Sequence, residues 1–241
     1  MNSKLRMYFT TLMVVLAMAV SALAQEAQSI YTCTLITKPG SYMLAKNITA
    51  RTQDLKSPGP SCIVIVADFV TLDLNGYTIT GPGSGFGIYS TANSSGKYAT
   101  ATVVRNGAVA NFGRGIALEG AAHAANDVRL EGNGVGLSFD ASGSSAEKVN
   151  ILSNGTGILC FGGSGNSVRH SEVSSSGGNG IDLNACPGSS VIGNTVSGNG
   201  GVGITVSCPS VVLQNMASQN GGGDIVADPA ACTRSVNNPA P

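Results

Sequence analysis

The stretch from Asn126 to Asp228 repeats one short phrase, and that repetition restricts the fold more than any other feature of the chain. A valine-led apolar triplet is followed by a polar turn of Asn and Gly, then by a Gly-Ile or Gly-Leu step. Val128-Arg129-Leu130 leads to Gly136-Leu137, and Val149-Asn150-Ile151 leads to Gly157-Ile158. Val168 leads to Gly180-Ile181, Val191 to Gly203-Ile204, and Val211 to Ile225. From Leu137 to Ile158 is 21 residues, then 23 to Ile181, 23 to Ile204 and 21 to Ile225. Upstream, Ile116 lies 21 before Leu137, and Ile88 lies 28 before Ile116. A period of this length is the mark of a solenoid, in which each unit buries its apolar face only against its neighbours. The units are too short for two helices. Their apolar residues alternate, as in Ile181-x-Leu183 and Ile204-x-Val206, which is strand spacing.

Short strands at one period and in one sense predict a coil of parallel strands, successive turns about 4.8 Å apart. Gly and Asn suit the corners, because they tolerate positive φ. Asn154, Asn179, Asn199 and Asn220 recur there and are expected to hydrogen-bond from coil to coil. The turns Asn133-Gly134-Val135-Gly136-Leu137, Asn154-Gly155-Thr156-Gly157-Ile158 and Asn199-Gly200-Gly201-Val202-Gly203-Ile204 resemble those of the exported bacterial right-handed parallel β-helix family, within the pectin-lyase-like superfamily. The resemblance spans roughly residues 60 to 230. It implies an all-β, right-handed parallel β-helix of about seven to eight coils with an N-terminal cap, and the crossover rule gives the same hand. The fold hosts lyases, hydrolases, epimerases and binding modules, so it does not fix an activity.

Residues 1–24 read as a signal peptide. Lys4 and Arg6 precede an apolar run from Tyr8 to Val20, and Ala22-Leu23-Ala24 supplies a cleavage pattern. The expected location is secreted or periplasmic, with no membrane association after cleavage. Residues 25–61 read as a cap segment, 62–236 as the β-helix, and 237–241 as a flexible tail. The resemblance extends to Pro39–Leu44 and Val70–Ile79, which are structural in such proteins; Asp73 and Asn75 are then turn and ladder residues. Residues 81–101 lengthen the first period by seven and are expected to overhang one face.

The six cysteines of an exported chain suggest three disulfides. Cys160, Cys186, Cys208 and Cys232 follow the Gly-Ile strand in successive coils and share one corner. The expected pairs are Cys160–Cys186, Cys208–Cys232 and Cys33–Cys62, with Cys186–Cys208 as the competing pair. No close Cys-x-x-Cys supports zinc.

The chain has 13 basic and 13 acidic residues, which argues against nucleic acid, since neutralising phosphates needs a basic excess. Trp is absent and aromatics are 5%, which weakens stacking on sugars. Outward positions of the Gly-Ile strands form two columns. One runs Tyr89, Ala117, Ser138, Leu159, Asp182, Thr205, Val226; the other runs Glu119, Asp140, Phe161, Asn184, Ser207, Asp228. Glu119, Asp140 and Asp182 are therefore the candidate catalytic carboxylates. Glu119 and Asp140 fall in neighbouring coils, a spacing suited to a retaining glycosidase or to a shared Ca²⁺ ion. Arg129 and Arg169, placed with Asn150 in one outward column, are candidate clamps for an acidic sugar, with Asn184 as a further binding candidate. His170 is expected to point inward, and His123 sits among alanines with no evident partner. The polygalacturonase-like signatures, the Asp-Pro-His motif of alginate epimerases and the Trp-bearing segments of pectate lyases are all missing. The sequence thus predicts a non-catalytic binding or structural module, with extracellular polysaccharide as the expected partner. The alternatives are a polysaccharide lyase or hydrolase and a self-assembling surface component.

Overall fold

A computed structural model describes residues 26–227 and the strand Thr233–Arg234. The expected leader, the 237–241 tail, Cys232 and Asp228 lie outside the described residues. The chain winds as a solenoid of about eight turns. Every strand pairing between named strands is parallel, in a nine-stranded sheet and a sixteen-stranded sheet. The sixteen-stranded sheet folds into two limbs joined through the long strands Val103–Ala110 and Ala124–Glu131.

The Gly-Ile step forms the spine of the nine-stranded sheet. Ile88, Ile116, Leu137, Ile158, Ile181, Ile204 and Ile225 pair in one unbroken column. All but Ile225 are fully buried. The preceding glycine is required because it also faces inward. A Cβ on Gly115 or Gly136 would lie 2.7 Å from the glycine carbonyl one coil on, and one on Gly180 would lie 2.6 Å from the Gly203 carbonyl and from Val196. Two consecutive inward positions leave the residue before each glycine facing out.

Between the sheets the chain turns on buried polar ladders rather than on apolar packing. Asn133 donates its backbone N–H and its amide to Asn154 Oδ1, at 2.8 and 3.1 Å. Asn199 does the same to Asn220, and Ser176 donates its N–H to Asn199. A second ladder runs Ser171, Asn194, Asn215. The bonds from backbone N–H satisfy groups that the corner would otherwise strand in the core. Asn154, Asn199 and Asn220 thus stack as expected. Asn179 does not join them: it accepts from Val202 N–H and donates to Asp182.

The third ladder contains His123, for which the sequence suggested no partner. The side chain is buried, its Nδ1 accepts the Thr102 N–H at 3.1 Å, and Nε2 lies 2.9 Å from the Glu119 carbonyl. Its own N–H donates to Ser144, whose N–H donates to Asn166. Accepting at Nδ1 fixes the neutral tautomer with the proton on Nε2. Burial pushes the His123 imidazole below its ordinary pKa. His170, expected to point inward, instead sits at an exposed corner with φ 48° and lies 3.7 Å from Glu147.

Two disulfides join neighbouring coils, Cys33–Cys62 and Cys160–Cys186. The competing Cys186–Cys208 pair is not formed; Cys208 is itself disulfide-bonded. The segment read as a cap already contributes strands to both sheets: Gln28–Ile30 pairs with Gly40–Leu44, and Thr34–Ile36 with Ser61–Ile65.

Candidate functional site

The outward face of the nine-stranded sheet gathers the side chains with chemical character. On the strand Phe86–Ser90 the rings of Phe86 and Tyr89 stack at 4.4 Å between centroids. Arg114 opens the next strand, Arg114–Ala121, and pairs with Phe86. Its guanidinium carbon lies 5.5 Å from the Phe86 ring centroid and 4.3 Å from that of Phe161. Phe161 stands near the end of Thr156–Gly162, two strands further on, so the arginine lies across the face. Ala117 and Ser138 face outward between them yet are only 2% exposed. Phe161 remains 45% exposed. Phe86, Tyr89 and Phe161 thus bring three aromatic rings to this face.

Arg114 differs from the other arginines whose side chains are described. Arg51 is paired with Asp54, Arg105 with Asp73 and Arg129 with Glu131, while Arg169 donates to the Ser167 hydroxyl. Arg114 is held by two aromatic faces, and its guanidinium N–H groups meet no acceptor among the described residues. A fixed, uncompensated guanidinium presents a planar fork to an incoming oxyanion.

Glu119 and Asp140 do pair in register on adjacent strands. Their carboxylates do not converge. Glu119 reaches back to the preceding strand, accepting from the Tyr89 hydroxyl at 2.7 Å and from the Thr91 hydroxyl at 2.6 Å. Asp140 lies on the strand to the other side, exposed, at a bulge that shifts its partner to Gly162. Glu119 thus faces Tyr89 and Thr91 on the preceding strand rather than Asp140. Burial pushes the Tyr89 hydroxyl up to about 12, with its bond to Glu119 adding to the shift, so at neutral pH it is a donor. Asp182 lies in the other outward column, pairing with Leu159 and Thr205 and accepting from Asn179 at 2.7 Å. Asn184 accepts from Thr205, continuing the polar surface. Among the described residues no group of three or more His, Cys, Asp or Glu is placed to hold a metal ion.

Arg129 and Arg169 lie on the other sheet and not in one column. Arg129 pairs with Asn150, and Asn150 with Glu172; Arg169 pairs with Glu147 in the other limb. Their side chains are engaged separately, Arg129 with Glu131 and Arg169 with the Ser167 hydroxyl.

Two loops flank the face at its N-terminal end. Residues 91–99 form a hairpin closed by an Ala92–Tyr98 bridge, with Asn93 Oδ1 accepting from Ser95 and Lys97. Lys97 bonds Asp68, which also accepts from Thr100; the lysine bond first, then Thr100, holds the Asp68 carboxyl below its usual range. Opposite, residues 51–60 fold over Phe86 and Tyr89, where a Cβ on Gly59 would lie 3.3 Å from the Tyr89 ring. Outward-facing Val64 is fully buried.

The profile of right-handed β-helix regions matches residues 114–238, more than half the chain. The chain belongs to the right-handed β-helix family. Among curated proteins no sequence matches it. Three similar solved structures illustrate the fold. A double mutant of the periplasmic alginate epimerase AlgG is 14% identical, with TM-score 0.43, over 83% of this chain and 75% of that one. The Dettilon tailspike protein is 12% identical, with TM-score 0.45, over 88% and 59%. The A-module of the Azotobacter vinelandii mannuronan C-5 epimerase AlgE4 is 15% identical, with TM-score 0.40, over 80% and 62%. The chain therefore spans only part of each of these proteins, and the likeness concerns fold alone.

Proposed function

We propose that this chain is an exported, non-catalytic recognition module that binds acidic polysaccharide on the outward face of its nine-stranded sheet. The observation that carries this reading is Arg114, clasped between Phe86 and Phe161 with no acidic partner. An arginine fork answers a uronate carboxylate or sulfate ester, and the exposed Phe161 ring offers the adjacent stacking surface. Asp140, Asp182 and Asn184 supply acceptors for sugar hydroxyls along the same face. Recognition is favoured over cleavage because both oxygens of Glu119 are occupied and directed away from Asp140, and Tyr89 stays protonated. The disulfides between coils accord with export.

The test is a panel of acidic and neutral glycans, read for binding and for new reducing ends or unsaturated products. Binding to acidic glycans without product, lost in Arg114→Ala and Phe161→Ala, supports the reading. Product formation that disappears in Asp140→Asn replaces it with an enzyme.

A further inference from the structure

Beside the charged part of the face lies a cleft of about 510 Å³ whose lining carries no charged residue. Leu35 and Val66 floor it, the Ser57-Pro58 edge of the 51–60 loop forms one wall, and Ala92 to Ser94 of the hairpin form the other. Both walls are braced. Lys56 and Ser61 exchange backbone hydrogen bonds at 2.7 and 3.1 Å across the base of the first loop. The hairpin is tied by Asn93 within and by the Asp68–Lys97 pair outside the cleft. The cleft is therefore preformed, as binding sites usually are.

Its floor is continuous with the site already described. Ile65 pairs with Ser90 and Ser90 with Leu118, so Val66 and Thr91, each just past the end of its strand, continue the register to Glu119 on the next. Asp140 follows on the fourth. A chain laid along this column passes from the charged region over Thr91 into the cleft.

We infer that this cleft is a specificity subsite for a neutral sugar unit of the bound polysaccharide; the inference rests on the proposed glycan-binding face. A free carboxylate seated there would lie against Leu35, Val66, Pro58 and Ala92 with no cation among the lining residues. A neutral unit buries its apolar face on that floor and finds Thr37, Ser57 and Ser94 hydroxyls at the rim. The face as a whole then reads an acidic unit at Arg114 and a neutral one beyond Thr91.

The experiment is calorimetric titration of the disulfide-bonded chain with two probes: six-unit uronate oligomers with all carboxylates free, and the same oligomers with half of them methyl-esterified. The partly esterified probe is expected to bind about tenfold more tightly. Ser94→Asp, at an exposed rim position, should erase that preference without disturbing the fold, and Val66→Asp should do the same from the floor. Arg114→Ala should weaken both probes equally. Equal or tighter binding of the free-acid probe, or a preference that survives both aspartates, overturns the subsite while leaving the recognition face intact. Failure of both probes to bind the unaltered protein overturns the face and the subsite together.

Discussion

The guanidinium carbon of Arg114 lies 4.3 Å from the ring centroid of Phe161, although the two residues stand on strands with a third strand between them. That reach is possible because the intervening outward residues, Ala117 and Ser138, are small. Replacing Ser138 with Leu should lift the arginine off Phe161 and lower acidic-glycan affinity with little change in stability. Affinity by calorimetry and Tm by circular dichroism separate the two effects.

His123 makes the stability of the coil depend on pH. Its folded pKa is depressed, so below the unfolded value of about 6.5 the unfolded chain takes up a proton that the folded chain resists. The stabilisation is complete above that pH and is lost as pH falls toward the folded pKa. Urea denaturation midpoints should therefore fall on acidification from pH 7 through 6. In His123→Asn, where Oδ1 can accept the Thr102 N–H as Asn166 accepts from Ser144, the histidine share of that fall should vanish while the fold persists. An unchanged acid limb in the variant would refute this role.

The Asn ladder is expected to be a main support of the corners. Asn154 accepts twice from Asn133 and donates to the Leu130 and Leu152 carbonyls. Asn154→Ala leaves buried groups without partners and should cost about 1–3 kcal/mol in a denaturant titration.

The repeat was legible because its inward column is strict. The interval between Gly-Ile steps matches the coil length, so Ile116 to Ile225 could be aligned by counting. The arginine column failed for a physical reason. From Ser145 to Ser218 each coil carries two short strands in the sixteen-stranded sheet with the same pattern, one buried apolar residue between two outward ones. Val168 belongs with Ala146 in one limb and Val173 with Ile151 in the other, and spacing alone does not separate them. Arg114 and Phe86 were missed because strict alternation assigns them inward. The signal was the glycine after each, which must face the core together with the isoleucine that follows it. The direction taken by the Glu119 carboxylate depends on two hydroxyls 28 and 30 residues away, and no local pattern encodes that.

The glycine column itself is testable. In Gly180→Ala the new methyl would press on the Gly203 carbonyl, Val196 and Asn199, at 2.6 to 2.9 Å. Overpacking of this kind should destabilise the protein by about 1–3 kcal/mol or more, read as a lowered Tm. Gly143→Ala, at φ 62° with open space around it, should cost less and only through backbone strain.

Tyr89 should ionise late, because burial holds its hydroxyl protonated. With its hydroxyl raised to about 12, the folded state resists deprotonation that the unfolded state undergoes near 10, so its contribution is complete below pH 10 and fades above it. Absorbance titration at alkaline pH should show a late tyrosinate step that is missing in Tyr89→Phe. A titration whose late step is unchanged in that variant would contradict the Tyr89–Glu119 arrangement.

The most direct measurement is the affinity of the intact, disulfide-bonded chain for an acidic glycan, compared with Arg114→Ala and with Asp140→Asn under the same conditions. The account predicts loss of about tenfold or more in affinity for Arg114→Ala, a smaller loss for Asp140→Asn, and no cleavage product from the intact chain. Binding indifferent to Arg114, or product formation that requires Asp140, would contradict it.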